Sequence, residues 1–328
     1  MREALFWRKE GDRVRCELCP HYCLISGGKV GRCRVRMNDE GVLRSLNYGK
    51  VASVALDPIE KKPLYHFHPG KPILSLGTNG CNFACEFCQN WELANAKASL
   101  DDIQPADVPA LAKRGRSFGV AYTYNEPFVW YEFVLDTARL CRAVGLKNVL
   151  VTNGFVNAEP LEELVPFIDA MNIDIKSVRQ KFHDELTHGK VEPVLETCRR
   201  AARSCHVEIT NLIIPGHNDS QEEFEELASW IARNLGDETP VHLSAYMPRH
   251  RLEAPPTSAS TLLEARSVFI NHLRYVYLGN VATEIGSDTV CPSCGNLAIE
   301  RVGMHARMVS LDDTRCGKCG SDLHIMMD

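Results

Sequence analysis

The 328-residue sequence has no run approaching 18 apolar residues, so no membrane-spanning helix is read from it. Its opening stretch, Met1 to Lys9, lacks the apolar core of a secretory signal, and the expectation is a cytoplasmic chain. Neither sign of charge dominates. Against 37 Lys and Arg stand 42 Asp and Glu, a net of -5, which leaves no general electrostatic case for nucleic acid as a partner. There is no low-complexity tract and no internal repeat, so a solenoid is not read. The 45% hydrophobic content is ample for a packed core. The length fits one large domain or two to three smaller ones.

Cysteine is what the chain has in excess. Of 14 cysteines, 11 fall into three clusters: Cys16, Cys19, Cys23 and Cys33; Cys81, Cys85 and Cys88; and Cys291, Cys294, Cys316 and Cys319. In a reducing compartment such clusters indicate metal rather than disulfides. Cys141, Cys198 and Cys205 stand alone in helix-like stretches and read as buried small apolar residues.

Between residues 73 and 280 short β-like runs alternate with helical patterns. The candidate strands are Ile73–Leu76, Gly119–Thr123, Asn148–Thr152, Met171–Ile175, Val207–Ile214, Val241–Tyr246 and Tyr275–Leu278. Phe224, Leu227, Ala228, Ile231 and Leu235 form one helical face, and Ser220 with Glu223 gives it a capping box. Trp130, Phe133, Val134, Ala138, Cys141 and Val144 repeat the pattern on an earlier helix. Alternating β and α implies a parallel sheet, and this many units point to a barrel or partial barrel. Polar groups gather just after the strands: Thr123 to Glu126, Thr152 to Gly154, Asp174 to Lys176 and Pro215 to Asn218. In parallel barrels those strand ends share one face, so distant residues are expected to meet at one mouth.

Cys81-Asn82-Phe83-Ala84-Cys85-Glu86-Phe87-Cys88 reads C-x3-C-x2-C and follows the first candidate strand through Gly77-Thr78-Asn79-Gly80. Three thiolates in a tight loop can hold three irons of a four-iron cubane, leaving one iron without cysteine and open to a chelating molecule. A three-cysteine zinc site with an outside ligand, or chance spacing, are the alternatives.

The motif, with Phe87 just before its last cysteine, resembles the signature of radical S-adenosylmethionine (SAM) enzymes. Its flanks, Gly77 to Phe83 and Cys88-Gln89-Asn90-Trp91, resemble the branch near glycyl-radical-enzyme and pyruvate formate-lyase activases. They resemble more closely the AmmeMemoRadiSam system radical SAM family. Asp57 to Leu64, Thr123 to Pro127, Thr152 to Gly154 and Tyr275 to Val281 carry the same likeness along nearly the whole chain.

This resemblance implies an α/β fold, a radical SAM partial (β/α)6 TIM-like barrel. It implies a [4Fe–4S] cluster that reductively cleaves SAM to a 5′-deoxyadenosyl radical, which takes hydrogen from a substrate. The cofactor carries that chemistry, and the protein supplies position and dryness. Asn125 and Glu126 would accept from the SAM amino group, with an ordinary turn before Pro127 as the other reading. Phe87 would pack on adenine, or simply in the core. Asn153 would reach ribose or carboxylate, or belong to a plain turn. Asp174 and Lys176 resemble an Asp-x-Lys near the methionyl group in activase-like enzymes, and strand alternation puts both on one side. A structural ion pair is the alternative there. Tyr246 could face substrate, while Arg249 and His250 read as surface loop.

The flanking clusters point to metal as well. The N-terminal spacing differs from the bacterial ferredoxin run, and a zinc knuckle is the first reading, a second iron–sulfur cluster the next, no metal the last. His21 could replace one cysteine. Cys291-x2-Cys294 and Cys316-x2-Cys319 read as a zinc ribbon. The expected division is an N-terminal four-cysteine metal-binding domain and linker over 1–70, the radical SAM barrel over 71–286 and the ribbon over 287–328. The basic, aromatic stretch Glu60 to Lys71 reads as a solvated linker, with contact to a partner or an acidic substrate as its rival.

The leading expectation is thus a radical SAM enzyme, with a flavodoxin- or ferredoxin-like reductant as partner and the companion proteins of the family name as further partners. A glycyl-radical-enzyme activase, an iron–sulfur electron-transfer protein and a zinc-ribbon interaction module on an inactive barrel are the alternatives.

Overall fold

The computed structural model describes residues 1–283 and 285–327. Its centre is an eight-stranded sheet: β1 (Ser53–Pro58), β2 (Pro72–Gly77), β3 (Gly119–Tyr122), β4 (Lys147–Thr152), β5 (Ala170–Asp174), β6 (His206–Ile213), β7 (Val241–Ala245) and β8 (Val276–Gly279). The strands stand in the sheet in the order in which the chain makes them. β1 runs antiparallel to β2, and every later neighbouring pair is parallel. All the strands expected from the sequence are present. β2 to β5 are buried almost throughout, as the middle of a parallel sheet covered on both faces must be.

β1 was not foreseen, and the reason is its pattern. Val54 and Leu56 are exposed while Asp57 is buried, the reverse of a strand that hides its apolar side. It lies before residue 70, the expected boundary, yet is hydrogen-bonded into the central sheet from Ser53↔Gly77 to Pro58↔Pro72.

Helices cross between the parallel strands. Tyr131–Ala143 buries Phe133, Val134, Ala138 and Cys141. Gln221–Leu235 buries Phe224, Leu227, Ala228 and Ile231 along one face. Ser220 Oγ accepts from the Glu223 amide at 3.2 Å. The Glu223 carboxylate instead accepts from the Ser177 hydroxyl and pairs with Arg179, so the capping box is only half built.

The stretch from Glu60 is not a solvated linker. Ile59, Glu60, Lys62, Leu64, Tyr65, His66, Phe67 and His68 are all buried. It is a strap held inside the fold, and one carboxylate accepts from two of its amides. Glu208 of β6 accepts from the Tyr65 and His66 amides at 2.9 and 2.7 Å, and from His206 and His242 Nε2 at 2.9 and 2.6 Å. Those donors hold Glu208 well below the usual carboxylate range despite its burial. The C-terminal segment docks on the strap's other side. Arg301 donates to Tyr65 O at 2.8 Å with its guanidinium 4.1 Å from the Tyr65 ring, and Met326 N donates to His66 O.

The N-terminal residues form two small antiparallel three-stranded sheets. They are fixed to helix Tyr131–Ala143 by a buried ion pair, Arg36 with Glu132, both side chains 1% exposed. Glu132 also accepts from the Leu5 amide at 2.8 Å. Removing one partner of such a pair strands a buried charge, at about 3–5 kcal/mol. Glu132→Ala should therefore lower the unfolding free energy by about that amount in urea titrations. A loss below about 1 kcal/mol would show that the pair does not anchor the N-terminal sheets.

Candidate functional site

The loop after β2 is shaped by glycines and pinned by one amide. A Cβ on Gly77 would lie 2.9 Å from Thr123 O, and one on Gly80 would lie 2.7 Å from the Val35 side chain and 2.9 Å from Cys33 O. Gly80 also has φ +102°, where a side chain is strained. Asn125 stitches the loop. Its Oδ1 accepts from Thr78 N at 3.1 Å and its Nδ2 donates to Gly80 O at 2.9 Å. The carbonyl of Gly80 precedes Cys81, so Asn125 sets where the cysteine loop begins.

Cys81, Cys85 and Cys88 open into a cavity of about 560 Å³. Phe87, Asn125, Glu126, Asn153, Asp174 and Lys176 all line the same cavity. These residues come from the loop after β2 and from the C-terminal ends of β3, β4 and β5, so the strand ends and the cysteine loop meet at one cavity. Burial pushes the Cys85 thiol up to about 12 against the pull of Lys176, and raises Cys81 well above its ordinary value. Bare thiolates are not at home here. A metal core that neutralises them would be.

Around the sulfurs the polar groups are mutually engaged. Asn153 Nδ2 donates to Asn82 Oδ1 at 2.9 Å and lies 3.7 Å from Cys81 Sγ. Glu126 Oε1 accepts from Phe128 N and the Thr152 hydroxyl at 3.0 and 2.7 Å, and its Oε2 accepts from Asn153 N at 2.8 Å. Glu126 therefore ties the end of β3 to the end of β4 and keeps one acceptor position on Oε2. Asp174 and Lys176 form an ion pair at 3.2 Å. Burial alone would lower the Lys176 pKa, but Asp174 and the nearby sulfurs outweigh it and raise it, so this lysine stays charged. Its Nζ stands 5.6 Å from the Phe87 ring, which packs among Phe182, Leu186, Ile214 and Tyr246.

Tyr246 is placed elsewhere. It is fully buried, its hydroxyl donates to Leu252 O at 2.7 Å, and it does not line the cavity. Arg249 and His250 are exposed, His250 stacking on Trp91 with ring centroids 5.5 Å apart. Sequence reasoning missed several walls of the cavity: Lys61 and Tyr65 of the strap, His242, and Met304 from the C-terminal segment. The alternation of charge and aromatics over Glu60 to His68 was the available signal.

The other two clusters lie apart from this cavity. Cys291, Cys294, Cys316 and Cys319 bring their sulfurs within 4.8 Å of one another and could hold a metal ion. Cys16, Cys19, Cys23 and Cys33 face a small separate void with His21, Arg36 and Asn82.

The family model of the radical SAM superfamily matches residues 75–231. An uncharacterised protein of Methanocaldococcus jannaschii is 43% identical over 336 residues, covering 100% of both chains. The chain carries a radical SAM domain over residues 75–231. Pyruvate formate-lyase 1-activating enzyme of Escherichia coli is 27% identical over 175 residues, covering 51% of this chain and 71% of that protein. A radical SAM methyltransferase from Sphaerobacter thermophilus shares the fold at a TM-score of 0.53 and 18% identity, over 70% of this chain and 71% of that one.

A radical SAM domain implies, by family, a [4Fe–4S] cluster and SAM. The donor set fits that cluster: three soft thiol ligands on one loop, with amides of Phe83 and Asn90 donating to Cys81 and Cys88. No fourth cysteine lines the cavity among the described residues.

Glu126 offers a pH test of this wall. Burial raises its pKa from 4.5 to about 7, against the donors that favour the carboxylate. The folded state thus holds this proton more tightly than the unfolded one. Its contribution to stability is full below pH 4.5 and is lost as pH rises through about 7, on the order of 3 kcal/mol. Glu126→Gln should flatten that part of the stability–pH profile. Parallel profiles for the two proteins would contradict the raised pKa.

Proposed function

We propose that the protein is a radical SAM enzyme that binds SAM in the 560 Å³ cavity and uses it to abstract hydrogen from a substrate. The observation that carries this reading is the meeting of the three-cysteine loop with polar strand ends of β3 to β5 in one cavity. An electron carrier has no need of those polar groups. With a reduced cluster and SAM bound, the site would supply one electron to the sulfonium, whose C5′–S bond would break to leave methionine and a 5′-deoxyadenosyl radical.

The chain's own residues position and protect that chemistry. Cys81, Cys85 and Cys88 would hold the cluster. Asn125 fixes the loop that carries them and is a positioning residue rather than a SAM ligand, because both ends of its amide are engaged with backbone. The free acceptor position on Glu126 and the carboxylate of Asp174 would receive the SAM ammonium, and Lys176 would face its carboxylate. Asn153 would hold Cys81 in place. Phe87 would give an apolar wall to the adenine side. The sheet would curl as a partial (β/α)6 barrel with the cavity in its mouth, and zinc would occupy the C-terminal four-cysteine site as a ribbon. A one-electron reductant of the flavodoxin or ferredoxin type would be needed.

The substrate would be a protein, peptide or small molecule. Activase-type removal of a glycine Cα hydrogen is favoured by the relatives named as activating enzymes. The companion proteins after which the AmmeMemoRadiSam family is named are the further partners proposed.

Anaerobically reconstituted protein given SAM and a strong reductant should release 5′-deoxyadenosine, and Cys85→Ala should abolish the release. With a deuterated candidate substrate, deuterium should appear in the product nucleoside. Equal nucleoside formation by wild type and Cys85→Ala would overturn the proposal.

A further inference from the structure

We propose that Cys16, Cys19, Cys23 and Cys33 hold a second iron–sulfur cluster, a four-iron cubane, rather than the zinc ion that their spacing first implies.

The two outer clusters of the same chain give the comparison. A zinc ion binds four thiolates at about 2.3 Å, which sets their sulfurs about 3.8 Å apart. The C-terminal four meet that requirement, with Cys291 and Cys319 at 3.6 Å and Cys294 and Cys316 at 3.7 Å. The N-terminal four do not. Among the described residues, they do not form a group gathered closely enough to share a single ion, as the C-terminal four do.

The N-terminal sulfurs instead surround a void wide enough to admit a water-sized sphere. Four sulfurs drawn onto one zinc would leave no such space, whereas a cubane sets its cysteines further apart around an inorganic core. Leu18, Ile25 and Val129 wall the void, so water has few partners there.

A second observation is independent of the sulfurs. Arg36 lines the same void and is 1% exposed. Its terminal nitrogens donate to Leu5 O and to Glu132, but its Nε has no hydrogen-bond partner. A buried N–H is not left orphaned without cost. A sulfide or thiolate of an anionic cluster would accept from it.

Position also favours a redox centre. His21 Nε2 lies 2.7 Å from Asn82 O, and Asn82 lines the N-terminal void while adjoining Cys81 in the chain. On the other side, the Cys33 carbonyl presses on Gly80. The two cysteine loops are thus in direct contact. Zinc has no redox chemistry to use there.

The test counts metals in the anaerobically purified full chain. Wild type should carry about eight irons and eight sulfides with one zinc. Four irons with two zincs would overturn the proposal. In the variant with Cys81→Ser, Cys85→Ser and Cys88→Ser combined, about four irons should remain, with an EPR signal on reduction that SAM leaves unchanged. An iron-free variant holding two zincs would also overturn it. Cys16→Ser combined with Cys33→Ser should halve the iron of wild type while leaving a SAM-sensitive signal. Iron retained in full in that variant would contradict the assignment. The first variant lacks the central ligands, so its iron count stands or falls independently of SAM cleavage.

Discussion

Three thiols stand in a cavity where burial opposes their ionisation. Cys85 is pushed up to about 12 and Cys81 well above the ordinary thiol value, so neither carries charge readily as a bare side chain. A core that takes the sulfurs as thiolates and disperses their charge would relieve that cost. Lys176 lies on the same wall, stays protonated through Asp174, and favours negative charge at the sulfurs. The glycines that let the loop fold and the Asn125 amide that pins it are consequences of presenting three sulfurs together.

The small flanking sheets are built onto the same centre. The strap from Ile59 to His68 threads between the central sheet and the C-terminal segment, with Glu208 on one side and Arg301 on the other. Lys61 and Tyr65 of that strap and Met304 of the C-terminal segment reach the cavity wall. At the other end, Arg36 and Glu132 fix the N-terminal sheets against helix Tyr131–Ala143, and His21 meets the cysteine loop through Asn82. Both terminal segments therefore bear on the shape of the central cavity through direct contacts.

The parallel strands were legible as short β-prone runs separated by helical crossovers, and the sequence order of strand ends was enough to gather Asn125, Glu126, Asn153, Asp174 and Lys176 with the cysteines. The strap was not legible. Its groups look solvated when read alone, because part of what satisfies them comes from far away in the chain: Tyr124 beside the Lys62–Asp57 pair, and Glu208 for the backbone of Tyr65 and His66. Tyr246 misled for a related reason. It follows a strand as the site residues do, yet Leu252 O takes its hydroxyl inward. The roles of Asn125 and Glu126 were only half visible, since a sequence shows that a polar group ends a strand but not that backbone amides already claim it. At the N-terminal cluster, spacing lists the sulfurs but does not fix how far apart they are held, and that separation is what distinguishes a single ion from a cubane.

The central claim is that SAM chelates an iron left open by Cys81, Cys85 and Cys88. Electron–nuclear double resonance on the reduced protein, with SAM isotopically labelled at its methionine amine and carboxylate, reads that bond directly. The account predicts strong hyperfine coupling from both labels, lost when the three cysteines are replaced. Coupling absent from both labels in protein that holds its full cluster and binds SAM would contradict it.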